Sequence, residues 1–173
     1  DAAIRARGAA ADVDRYIASR WSALLPIAAS PAVRSGDVAE TQAFLDQLDT
    51  DAMGFDAGVG YLDLRGWQLA RSGGYTGPPI DFSGREHIRR ALETGRPTVS
   101  SAFVGAVNPV PLVAFAVPVL DDEGRVTAII GGGLRLDTAS IGSDSLRYAG
   151  GNQVAILDRN GRMLADSSPV TAL

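Results

Sequence analysis

The chain has 173 residues, 46% of them hydrophobic, and a formal net charge of −4, enough for one filled domain or one domain and part of another. An acidic balance without a basic run excludes a nucleic-acid surface and a polybasic membrane patch. Cysteine is absent and all 16 basic residues are arginine, so disulfides and thiolate metal sites are excluded while bidentate anion contacts are favoured.

Residues 1–29 read as a helix in which Val13, Ile17, Trp21, Leu24 and Ala28 make one apolar stripe, suited to a partner helix or a domain flank. Pro26 should kink or end it. Ser30 with Pro31 signals a short turn of helix. Asp37 with Glu40 forms a capping box for a helix reaching about Leu48. The texture changes after Gly54: "VGYLDLRGWQLARS" reads as a hairpin turning at Arg65-Gly66, with Trp67 packing at its exit. Ser83 and Glu86 form a second capping box for a helix over 84–94, closed by Gly95 and Pro97. Strands near 98–104, 111–119 and 125–136 follow, the last two joined by "DDEGR". Two strands, a helix and three strands is the order of a PAS-like five-stranded antiparallel sheet flanked by helices, here an α/β (α+β) chain with a long N-terminal helix.

Residues 61–72 (YLDLRGWQLARS) and 156–167 (ILDRNGRMLADS) align without a gap and share Leu, Asp, Gly, Leu, Ala and Ser. Turn chemistry supplies the Asp and Gly but not the whole register. The division that follows is 1–53 as helix and helical connection, 54–140 as the module, and 141–173 as linker and first hairpin of a second, incomplete module. The hairpin is expected over 153–166 without the strands that would complete its sheet. No stretch approaches the ~18–20 apolar residues of a membrane span, and the chain reads as a piece of a longer protein.

"DFSGREHIRR" (81–90) carries the only histidine of the sequence. Arg85 and His87 fall at N2 and N4 of the predicted helix, where cations are unfavourable unless an anion offsets them. Two readings stand: a basic hollow that takes a ligand carboxylate, or a solvated helix start with Arg85 paired to Asp81 or Glu86. In the first, Ser101, Phe103, Ala114, Ala116 and Gly133 on facing strands form the wall. A lone His with neither Cys nor a second His gives no catalytic or metal set. The glycines of "IIGGGLRL" lack the Lys-Ser/Thr of a phosphate loop and leave room for a ligand or for another backbone.

"DFSGREHIRRALETGRPTVSSAFVG" and "VPLVAFAVPVLDDEGRVTAIIGGGLRLDTAS" together resemble the extracytoplasmic Cache sensor domains of bacterial transmembrane receptors, through Asp81, Ser83, Arg85, Pro118, Val119, Gly124 and Gly131 over roughly residues 12–167. The double form of that family, two modules sharing one long helix, is similar to the helix and repeated hairpin here. The amino-acid-sensing subgroup places Tyr, Trp and Tyr around the helix arginine, where this chain has Ile80, His87 and Ile88. The strand Tyr and Asp of that subgroup are replaced by Phe103 and Gly133, so the resemblance does not imply an ammonium held on an Asp. It implies a small-ligand-sensing domain of a signal transducer, of a sensor histidine kinase first and of a diguanylate cyclase or chemoreceptor next. A carboxylate or other anion is the expected ligand, with no cofactor, no metal and no enzymatic activity in this piece. Val13, Ile17, Trp21 and Leu24 are more than a flank needs, so a weak parallel homodimer through the N-terminal helix is expected in the full-length receptor, with a membrane tether outside this sequence. The alternative is a structural or dimerising module with no ligand of its own.

Overall fold

The structure, a computed structural model, describes residues 2–107, 109–136 and 155–166. Helix α1 (Ala2–Ala28) is followed by α2 (Pro31–Arg34) and α3 (Val38–Leu45). Pro26 lies inside α1 without ending it. Ser30 caps α2, its Oγ accepting from Val33 N at 3.4 Å, and the Asp37 carboxylate caps α3 by accepting from Glu40 N at 3.0 Å. The remaining elements are β1 (Val59–Leu62), β2 (Trp67–Arg71), β3 (Ile80–Asp81), α4 (Glu86–Thr94), β4 (Thr98–Val99), β5 (Phe103–Val104), β6 (Pro111–Leu120), β7 (Val126–Arg135), β8 (Ala155–Leu157) and β9 (Met163–Asp166).

One antiparallel sheet runs β3-β2-β1-β7-β6-β4, with β5 also on β6; β8 and β9 form a separate two-stranded ribbon. The five expected strands are all present, with two differences. A short edge strand, β3, pairs with β2. The expected strand 98–104 is split at 100–102, because Ala102 N there bonds to the Asp158 carboxylate of the second hairpin (3.1 Å) rather than to β6.

Period-two alternation on β6 and β7 decides which layer covers which face. Val113, Phe115, Val117 and Val119 of β6 and Ala128, Ile130 and Leu134 of β7 turn towards α1 and pack with Leu24, Ile27 and Phe55. Ala116 and Ile129 turn the other way and pack with Ile88 and Ala91 of α4. Each fully buried large side chain contributes about 1.5–3 kcal/mol, so the α1 face carries most of the stability. The stripe of α1 is consumed here: Leu24 is fully buried, Val13, Ile17 and Trp21 pack beside it, and Trp21 Nε1 donates to Thr98 O at 3.1 Å. It is an intramolecular flank, so the expected dimer loses the argument that the stripe exceeds what a flank needs. Trp67, expected to pack, is 38% exposed, because its strand lies near the sheet edge.

The two aligned segments fold alike. In the β1–β2 turn Asp63 Oδ1 accepts from Arg65 N (2.9 Å) and Trp67 N (3.0 Å); in the β8–β9 turn Asp158 Oδ1 accepts from Asn160 N (2.8 Å) and Arg162 N (2.9 Å). Asp121 does the same in the β6–β7 turn. Gly66, Gly124 and Gly161 occupy the left-handed position at φ 83°, 77° and 77°, which a side chain would strain. The shared Asp and Gly are therefore the chemistry of a turn used in all three hairpins. Of the segment 141–173 assigned to linker and first hairpin, residues 141–154 and 167–173 lie outside the described residues.

Candidate functional site

On the α4 side, opposite the helical layer, the sheet leaves a cavity of about 80 Å³, partly open to solvent. Its floor is the glycine run Gly131–Gly133 of β7 with Ala114 and Phe115 of β6; His87 and Ile88 of α4 and Phe82 form one wall, and Phe103 with Gly105–Val107 another. Ala57, Gly58 and Leu62 around β1 complete it, and Gln68 and Arg71 project from β2. Among the described residues the polar side chains of the lining are Gln68, Arg71 and His87, with no Asp or Glu.

The glycines serve different ends. A Cβ on Gly133 would lie 2.8 Å from Ala57 Cβ, and one on Gly132 would lie 2.6 Å from the Phe55 ring on the α1 side. Both positions are therefore occupied by the chain's own close approach. At Gly131 the nearest atoms would be Leu62 Cδ1 at 3.4 Å and Phe115 O at 3.8 Å, so this glycine alone widens the cavity.

The sequence-assigned residues divide. His87, Phe103, Ala114 and Gly133 line the cavity. Ala116 does not: it is fully buried beneath α4, opposite Thr98 and Gly131 in the ladders. Ser101 is outside the lining and its Oγ accepts from Asn160 Nδ2 at 2.9 Å. Arg85 is also outside the lining. It is the N-cap of α4 (φ −82°, ψ 124°), and its guanidinium carbon sits 4.2 Å over the Phe103 ring. The helix begins two residues later than its expected capping box because Asp81 claims Ser83, accepting from its N–H at 2.8 Å in a turn that Arg85 N closes on Phe82 O. Glu86 is consequently free of a capping role and accepts from Arg159 Nη1 at 2.8 Å.

His87 is 5% exposed, and its ring stacks on Phe103 at 6.0 Å. Burial, then the positive charges of Arg85 and Arg159, push its pKa down to about 4, so the imidazole in the cavity wall is neutral at pH 7. The sequence reading takes His87 as a cation of a basic hollow, where the structure keeps it neutral, and misses Arg71 and Gln68. The available signal was a Gln at an inward-facing position between apolar strand residues.

The second hairpin reaches this wall by its turn. Arg159 Nη2 donates to Val99 O (3.0 Å), Arg162 Nη1 to Ala102 O (2.8 Å), and Ala102 N to Asp158 Oδ2 (3.1 Å). Breaking this clasp with Asp158→Ala should accelerate amide exchange at Ala102 and across 155–166 at least several-fold, since it removes the bond from Ala102 N and the two turn bonds from Asn160 N and Arg162 N, each worth about 1 kcal/mol. Unchanged protection at Ala102 would show that the turn does not hold the segment.

No protein-family model and no curated protein matches the sequence. Solved structures do. The chain is similar to the ligand-binding domain of the Pseudomonas aeruginosa amino acid chemoreceptor PctB in complex with L-Gln, at 21% identity and TM-score 0.71, covering 96% of this chain and 66% of that one. It is similar to the domain of Pseudomonas fluorescens chemoreceptor CtaA with L-serine at 18% identity and TM-score 0.64, covering 89% and 66%. For the domain of Pseudomonas aeruginosa PctC with GABA the values are 20% and 0.63, covering 94% and 71%. The chain thus has the fold of Cache-type ligand-binding domains of bacterial chemoreceptors and spans about two thirds of their length.

Proposed function

We propose that the chain is the extracytoplasmic ligand-sensing module of a bacterial transmembrane signal transducer, binding a small carboxylate or other anion in the cavity beneath α4. The observation that carries the reading is the cavity itself: largely apolar and glycine-floored, with three polar side chains and no acid among the described residues of its lining, the usual make-up of a small-molecule site. Of the outputs the resemblance suggested, a chemoreceptor is favoured over a histidine kinase, since the similar domains named above belong to chemoreceptors. Their bound amino acids support a small polar ligand and a binding rather than a catalytic role. Among the described residues no helix is long and apolar enough to cross a membrane; the tether, and the strands completing the module that begins with β8–β9, would lie elsewhere in the receptor. A dimer through α1 would use positions such as Ile4 and Leu25, which stand 67% and 48% exposed.

Thermal unfolding against a panel of carboxylates and amino acids tests the reading. A ligand at 100 times its Kd should add about 2.7 kcal/mol of stability. Gly131→Leu should abolish that gain while the protein stays folded, because the added side chain fills the one place the floor leaves open. No stabilisation by any member of the panel would favour a structural module instead. A gain that Gly131→Leu leaves intact would place the ligand outside this cavity.

A further inference from the structure

The geometry points to a ligand that is a three- or four-carbon carboxylate bearing a neutral hydroxyl donor, anchored by Arg71 and read by Gln68, with an ammonium at the same place rejected. This rests on the cavity being the ligand site and goes on to say what chemistry it selects.

Arg71 is held as an anchor should be. Its main chain is clamped from both sides by the Gln42 amide: Arg71 N donates to Oε1 at 3.0 Å, and Nε2 donates to Arg71 O at 2.7 Å. Its Nη2 donates to Ala57 O at 2.5 Å. No carboxylate pairs with the guanidinium among the described residues. Half-buried, the cation is desolvated enough to lower its pKa, and a bound carboxylate would relieve that with a charge-assisted bond.

Gln68 supplies the second requirement. The side chain lines the cavity, is only 9% exposed, and packs over Gly60, where any Cβ would collide with its amide. Its Oε1 is buried and has no hydrogen-bond partner among the described residues. Such an orphaned acceptor is a standing cost that a ligand donor removes. The donor is neutral by charge balance: among the described residues an ammonium would meet a lining with a cation and no acid. A ligand of a few carbons fills the space, since the cavity of about 80 Å³ is roughly half the ~150 Å³ that admits benzene.

Three near-isosteres, L-lactate, propionate and L-alanine, test this by isothermal titration of the 173-residue chain. L-lactate should bind about tenfold more tightly than propionate, which lacks the donor, and at least about tenfold more tightly than L-alanine, whose donor is charged. Gln68→Leu should make lactate and propionate equal. Gln68→Glu, which adds the missing acid, should shift preference to L-alanine. Arg71→Gln should abolish binding of lactate and propionate alike, with an unchanged circular dichroism spectrum showing the fold intact. L-Alanine binding wild type as well as lactate, in competition with a ligand lost in Gly131→Leu, would overturn the inference and leave the sensing site standing. Binding of none of the three, when the wider panel does contain a Gly131-dependent ligand, overturns it as well. No ligand at all overturns both.

Discussion

Phe55→Ala is expected to cost about 3–5 kcal/mol of folding stability, lowering the melting temperature by roughly 10 °C for a domain of this length. Phe55 precedes β1 in the segment 54–58, yet it is fully buried. Its ring meets Phe115 edge-on at 6.2 Å with planes 73° apart, lies beneath the Arg20 guanidinium at 6.0 Å, and presses on the backbone at Gly132. Helix α1, β6 and β7 converge on it, so no single neighbour can collapse into the hole left by truncation. Gly132→Ala alone should cost about 1–3 kcal/mol, because its methyl would overlap the ring. Combined with Phe55→Ala, that penalty should largely vanish, since the methyl then enters the vacated space. Urea unfolding of the two single variants and the double variant decides it: additive losses would mean that ring and glycine are not in contact.

Much of this fold is legible because strand alternation and turn chemistry act locally. Ser30-Pro31, Asp37 and Gly95 mark helix boundaries by hydrogen bonds within a few residues of themselves, and the structure uses each in that way. Ser83 failed as a boundary because a competing local bond, to Asp81, was available at shorter range. The site was harder to read because it is assembled from β2, α4 and β7, whose proximity is tertiary. A basic residue at a helix start looks like a ligand anchor in a linear sequence. Here Arg85 stacks on Phe103, while the cation that reaches the cavity, Arg71, sits in a strand where nothing in the sequence sets it apart from a surface arginine. The stripe on α1 left a partner helix and a domain flank both open, and the flank is what it meets: periodicity shows that a face is buried, not what buries it.

His87 makes the stability of the fold depend on pH in a window where few other groups titrate. In the unfolded chain the imidazole charges near its ordinary pKa of ~6.5; in the folded protein it stays neutral down to about 4. Between those values the unfolded state binds more protons, so stability falls as the pH falls from about 6.5 towards 4. A gap of that size corresponds to about 3 kcal/mol when complete. The carboxylates of Asp63, Asp81, Asp121 and Asp158, all held below their ordinary value of 3.8, are lost only at lower pH and leave this window clear. Stability from urea unfolding should therefore drop by about 2–3 kcal/mol between pH 7 and pH 4.5 in the wild type. In His87→Gln, which keeps a side chain of similar length without the titration, the drop should be nearly absent. Equal slopes in the two proteins would mean that the imidazole is hydrated and charged in the folded state. The wall between α4 and Phe103 would then be far more open than its 5% exposure describes.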